Sequence, residues 1–279
     1  MAISPGSAGR NRVLSIRRFL ALQVPLPSLD EQQRIVARIE ELVTKIEEAR
    51  GLCRQAVEET EVLVDSYLRQ VLTDAEGRDD WESGPIARFA EVNPSRRGQL
   101  NLEPTQTVTF VPMAAVDDKT GTIIRPEVRE FYEVSKGYTW FRDEDVIFAR
   151  ITPCMQNGKA ALARDLANGN GFGSTEFHVL RPKHNLMGEW LHALVRQRSF
   201  REDAAKHLTG TAGQQRVPQT FLEHKAIPVP PVAEQHKIVA QLASLHARVD
   251  ALKQLQLETA VELDALLPSV LDKAFKGEL

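Results

Sequence analysis

Two stretches of the chain place apolar or small residues at alternating steps of four and three. The first runs through Ile35, Ile39, Leu42, Ile46, Ala49, Cys53, Ala56, Thr60, Leu63 and Tyr67. The second runs through Ile238, Leu242, Leu245, Val249, Leu252, Gln256, Thr259, Leu263, Leu266 and Val270. A seam with that heptad period, held over several heptads, predicts coiled-coil helices. Each helix of ~44 residues would be ~65 Å long at 1.5 Å per residue. Asp30, after Pro27-Ser28-Leu29, is the expected N-cap of the first. One helix leads into the middle of the chain and the other leads out. If both pack along one seam, they run antiparallel with the middle module at one end.

The middle shows shorter, strand-like patterns. Residues 108–112, 130–132, 145–150, 159–163 and 175–180 are the expected strands. Turn chemistry separates them at 117–121, at Asn157-Gly158 and across 168–173. Two short helices are expected near 188–197 and 199–207. The predicted class is α+β: one mixed module flanked by two long antiparallel helices.

The connector between module and helix is written twice. Gly6-Ser7-Ala8-Gly9-Arg10-Asn11-Arg12-Val13 returns as Gly210-Thr211-Ala212-Gly213-Gln214-Gln215-Arg216-Val217. Val24-Pro25-Leu26-Pro27-Ser28-Leu29-Asp30-Glu31-Gln32 returns as Ile227-Pro228-Val229-Pro230-Pro231-Val232-Ala233-Glu234-Gln235, and the register then holds through the helix. The expected organisation follows. Residues 1–29 are the remnant end of a first module plus connector, 30–74 the first helix, 75–226 the module, and 227–279 the second connector and helix. The opening loop reads as the last loop of a module whose body is absent.

Charge refines this picture. The chain of 279 residues has a formal net charge of −3. Residues 30–74 hold 6 basic and 11 acidic side chains, 226–279 hold 5 and 7, and 75–225 hold 20 and 20. The acids sit on the helices, so the module can carry a basic face that the total conceals. Cys53 and Cys154 form no metal pattern, and the expectation is a cytoplasmic chain with free thiols. No stretch approaches the 18 apolar residues of a membrane span.

Several catalytic signatures fail. Asn157-Gly158-Lys159-Ala160 lacks the spacing of a phosphate loop, and Gly169-Asn170-Gly171-Phe172-Gly173 lacks that of a dinucleotide loop. No His-Glu-x-x-His occurs. Asn93-Pro94-Ser95-Arg96 only begins to look like an amino-methyltransferase motif. What remains is a polar and basic set on loops: Arg96, Arg97, Lys119, Lys136, Tyr138, Arg150, Thr152, Asn157, Lys159, Ser174, Thr175, Gln214, Gln215 and Arg216. Arg, Gln and Asn can make paired hydrogen bonds to base edges, while Lys, Thr and backbone N–H groups suit phosphates. Any one of them is also an ordinary solvated residue. Arg216 recurs at the end of both repeats, as Arg12, so a phosphate or structural contact is expected of it. Gln214-Gln215 differs from Arg10-Asn11, so that pair can carry specificity.

The string from Ile227 to Val239 resembles the connector of specificity subunits of type I restriction-modification systems. The stretches Asp145–Pro153, Asn157–Lys159 and Gly173–Pro182 are similar to parts of their target-recognition domains. The resemblance implies a non-catalytic DNA-recognition subunit that reads one half of a bipartite site in double-stranded DNA. It implies docking of modification subunits on the helices and of restriction subunits indirectly. S-adenosylmethionine, ATP and Mg are then expected only in those partners, with no cofactor or metal in this chain. A homodimer is a further candidate assembly. Two other readings stand beside it: a coiled-coil adaptor or decoy that binds modification subunits without reading DNA, and an unrecognised enzyme acting on nucleic acid.

Overall fold

The computed structural model describes residues 16–21, 27–75, 77–211, 213–276 and 278. The opening loop Gly6–Val13 and the Val24-Pro25-Leu26 part of the first connector lie outside them. The chain divides into two compact units, Val57–Leu252, and Met1–Ala56 with Lys253–Leu279. In chain order the elements are α1 (Ile16–Leu20), α2 (Leu29–Asp74), β1 (Glu82–Pro85), α3 (Ile86–Phe89), β2 (Ala90–Val92), β3 (Thr107–Val111) and β4 (Glu127–Glu130). They continue with α4 (Phe131–Val134), β5 (Thr139–Arg142), β6 (Val146–Ala149), β7 (Ala160–Leu162), β8 (Asn170–Gly173) and β9 (Phe177–Pro182). The rest are α5 (Gly188–Arg196), α6 (Arg198–Lys206), α7 (Gln219–His224), β10 (Ala226–Val229) and α8 (Val232–Lys276).

Both long helices form where the heptad seam lies. Of its 20 positions, 18 are buried or half-buried; Leu63 is 61% exposed and Leu266 45%. At the first departure Val64 and Leu68 turn inward instead, so the seam slips by one position near the end of α2. Within the larger unit the helices run antiparallel: the Tyr67 hydroxyl donates to Gln241 Oε1 and Arg78 pairs with Glu234. The cap of α2 is Ser28 rather than Asp30. Its Oγ accepts the Glu31 N–H at 3.4 Å, and its carbonyl accepts the Gln32 N–H at 2.9 Å.

Two four-stranded sheets and one two-stranded ribbon build the module. One sheet has the order β2-β9-β6-β7, all antiparallel, and the other β4-β3-β8-β5, with β3 and β8 parallel. The four residues of β6 are all buried. The core beneath this sheet joins Phe148 and Leu180 to Trp190, Leu191, Phe200 and Leu222, and to Leu68, Ile238 and Leu242 of the long helices. The connector Ile227-Pro228-Val229 is itself a strand, β10, paired with β1.

Two sequence expectations change here, and one discounted motif gains a structural role. Residues 130–132 end β4 and open α4, whose capping box is made by Glu130 and Glu133. Residues 170–173, expected as a turn, are an inner strand of the second sheet. A Cβ on Gly171 would fall on the Phe141 ring and one on Gly173 on the Val111 carbonyl, so the glycines permit close strand packing. The Asn93-Pro94 pair is structural. Asn93 has a positive φ of 53°, its side-chain oxygen accepts the Val179 N–H at 3.0 Å, and its Nδ2 donates to Gln219 and to His178 Nδ1.

The Glu-Gln pair that follows each connector shows what it does in the second copy. Glu234 accepts the Arg78 guanidinium at 2.7 and 3.1 Å and the Trp81 indole N–H at 3.0 Å. Gln235 is fully buried; it accepts the Met187 N–H at 2.8 Å and donates to the carbonyls of Asn185 and Pro230. Every polar atom of that amide is used, which fixes the start of α8 on the module.

Candidate nucleic-acid interface

β6 and β9 are antiparallel with Ala149 opposite Phe177. The residues just after β6 and just before β9 therefore emerge at the same sheet end. The Arg150 N–H donates to the Glu176 carbonyl at 2.8 Å, closing that pair. A third segment joins them, because the Val217 N–H donates to the Arg150 carbonyl at 2.8 Å and Ile151 bridges Arg216. The Thr152 N–H donates to the Gln215 carbonyl at 3.0 Å. Thr209 bridges Arg216 across this segment. Gly213 has φ of 86° with open space around its Cβ position, so backbone conformation alone asks for glycine there.

Charge holds this end together. Arg216 makes a two-pronged pair with Glu176 at 2.8 and 2.7 Å. That hydrogen bonding, with the Arg216 charge and then Arg150, holds the Glu176 carboxyl below the usual carboxylate range. Arg150 Nε lies 3.6 Å from the same carboxylate. Beneath them His178 is buried and its Nε2–H donates to the Val217 carbonyl at 2.8 Å. Its pKa is pushed down, chiefly by burial. Arg150, Thr152, Ser174, Thr175, Gln214, Gln215 and Arg216 are thus brought to one end by three segments. Glu176 and His178, which organise it, carried no signal beyond their place in a predicted strand.

The remaining candidates divide. Lys159 is half-buried and donates to the Met113 and Val116 carbonyls at 3.1 and 2.6 Å, so it ties two segments of the fold. Lys119 and Asn157 are exposed on neighbouring turns joined by Arg196, whose guanidinium donates to the carbonyls of Lys119 at 2.7 Å and Gly158 at 3.1 Å. Arg201 donates to the Gln156 carbonyl beside them. Neither Arg196 nor Arg201 was marked by the sequence pattern, which shows helix residues there. Arg96, Arg97, Lys136 and Tyr138 are exposed and lie around the second sheet: Arg96 donates to the Ser135 carbonyl, and Tyr138 meets Phe110 edge-on at 4.9 Å. No hydrogen bond or ion pair among the described residues joins them to the Arg150 group.

No group of three His, Cys, Asp or Glu side chains is placed to hold a metal among the described residues, and no described helix is long and apolar enough to cross a membrane. Polar loops bearing Arg, Gln, Thr and Ser on a rigid sheet end are the chemistry of a nucleic-acid recognition module. Residues 78–263 match the family of type I restriction modification DNA specificity domains, and the chain belongs to that family. The EcoAI type I specificity subunit of Escherichia coli is 35% identical over 189 residues, covering 67% of this chain and 31% of the relative. The EcoEI specificity subunit of Escherichia coli is 32% identical over 260 residues, 90% of this chain and 40% of the relative. The chain thus spans about a third to two fifths of the length of these relatives. The crystal structure of the HsdS subunit from Thermoanaerobacter tengcongensis superposes with a TM-score of 0.60 at 26% identity, over 99% of this chain and 65% of that one. A structure concerned with complex assembly and conformational transition of the type I R-M system gives 0.69 at 26% identity, over 99% and 67%.

Proposed function

We propose that this chain reads one half-site of double-stranded DNA for a type I restriction-modification complex and has no catalytic role of its own. The observation that carries the reading is the convergence of three segments, 150–152, 174–176 and 214–216, at one sheet end. Exposed Thr175 and Gln214 and half-buried Arg150, Thr152, Ser174 and Gln215 supply donors and acceptors for base edges and phosphates. Arg216 and Lys159, whose donors are committed inside the fold, act as struts. Arg96, Arg97, Lys119 and Lys136 are assigned to phosphates, and Asn157 and Tyr138 to the edges of the surface. The long helices dock a modification subunit, and exposed Leu257, Val261, Leu271 and Phe275 on α8 offer apolar area for it. S-adenosylmethionine, ATP and Mg belong to partner subunits on this reading.

The test is binding of a fluorescent duplex pool by the chain with its modification subunit, at two salt concentrations. Salt-dependent binding that unlabelled random DNA competes away only partly is the expected result. Removing one of the four assigned phosphate contacts is expected to weaken all sequences alike and lower the salt slope by about one. Association with the modification subunit without any sequence-dependent DNA affinity would support the adaptor reading instead.

A further inference from the structure

Arg150 stands apart from the other buried and half-buried arginines of the module. Arg216 is forked on Glu176, Arg181 on Asp145, and Arg196 is spent on carbonyls. The Arg150 side chain makes no hydrogen bond among the described residues, and its Nε is buried without a partner. A buried donor left unpaired is costly, so native folds rarely keep one without a use. The Glu176 carboxylate 3.6 Å away attracts it but is already engaged by both prongs of Arg216. One carboxylate therefore serves two guanidinium groups, and one positive charge with unspent donors remains at the sheet end. The backbone beneath is fixed on both sides, by the Arg150 N–H to the Glu176 carbonyl and the Val217 N–H to the Arg150 carbonyl, each 2.8 Å. The side chain is 37% exposed, so the guanidinium is held at its root and open at its tip.

We propose that Arg150 is a specificity-determining residue that reads a guanine, with Glu176 as its positioning residue and Arg216 as the strut that fixes Glu176. This rests on the DNA-reading function proposed above. A guanidinium fork matches the O6 and N7 acceptors of guanine in the major groove. A phosphate contact would need only the charge, and Lys would supply it.

Site selection from a random duplex pool, by the complex of chain and modification subunit, tests this. The selected site is expected to contain one guanine whose replacement weakens wild-type binding about 5- to 150-fold. Arg150→Lys keeps the charge and loses the fork; it is expected to abolish the preference at that one position and leave the salt slope unchanged. Replacing that guanine by 7-deazaguanine, which lacks the N7 acceptor, should weaken the wild type and leave Arg150→Lys indifferent. Glu176→Gln should reduce the same preference and add little to Arg150→Lys in the double variant. Arg150→Lys removes no hydrogen bond from the fold, so its binding is read on folded protein even if Glu176→Gln unfolds. An unchanged sequence preference in Arg150→Lys overturns this proposal and leaves the DNA-reading function standing. A wild-type complex that selects no sequence overturns both.

Discussion

A buried and a half-buried imidazole make the fold sensitive to acid. Burial first, then the charge of Arg196, pushes His192 from the ordinary 6.5 down to about 4, although its Nε2–H donates to the Ala160 carbonyl. As pH falls through 6.5 the unfolded chain takes up a proton that the folded chain refuses until about pH 4. Stability from this group is therefore complete above 6.5, is lost across that window, and levels off below about 4. The gap corresponds to about 3 kcal/mol at about 1.4 kcal/mol per pH unit. His178 is pushed the same way and adds to the loss. Urea unfolding at pH 7 and 4.5 is expected to show a smaller difference for His192→Gln than for the wild type; an equal difference would remove His192 from this role. The Arg181–Asp145 pair, hydrogen-bonded at 2.8 and 2.7 Å, is almost wholly buried, and Arg181 also covers the Trp140 ring at 4.7 Å. Asp145→Ala leaves that guanidinium unpaired and is expected to cost about 3–5 kcal/mol by thermal or urea unfolding. At this scale the sequence was readable by residue type and unreadable by partner. Lys159 has the chemistry of a phosphate ligand, but its two carbonyl acceptors lie more than 40 positions away along the chain.

Elements with strong periodicity were legible and those without it were not. The heptad pattern located both long helices, and the apolar runs located β3, β6, β7 and β9. The pattern missed β8 because Asn-Gly-Phe-Gly has no β-branched residue. Its glycines answer a demand for closeness from Phe141 and Val111, which a single strand's sequence cannot display. Gly171→Ala is expected to destabilise the second sheet by about 1–3 kcal/mol, seen as a lower melting temperature with the helices unaffected in composition. β1 and β10 were missed for another reason: each is short and proline-bearing, and each exists by pairing with the other. On α2, Ile46 is the most buried seam position of the smaller unit, at 8% exposure. Ile46→Asp is expected to cost about 2–5 kcal/mol or more, since it removes buried methyl groups and places a charge there. Circular dichroism should then show early loss of helix; an unchanged helix melt would place the seam elsewhere.

For the whole chain, the repeat carries the argument from pattern to role. Gln32 and Gln235 make the same local bond, donating to the carbonyls of Pro27 and Pro230 at 2.8 Å each. Gln235 is fully buried among module atoms, whereas Gln32 is half-exposed and Glu31 pairs with Arg34 in its own helix. Among the described residues, Gln235 is thus seated on the module, and Gln32 is bonded only to its own connector. On the proposed function, the module described here offers one set of reading loops, so this chain as tested should fix one compact run of bases. Two-fold pairing of two chains would repeat that run as an interrupted palindrome. The measurement that tests this most directly is selection of bound duplexes from a random pool, by the chain with its modification subunit, at two protein concentrations. The expected result is one short run of bases, alone or as two identical inverted copies with a fixed spacer. A selected site with two different fixed halves, in the absence of any second specificity chain, would contradict it.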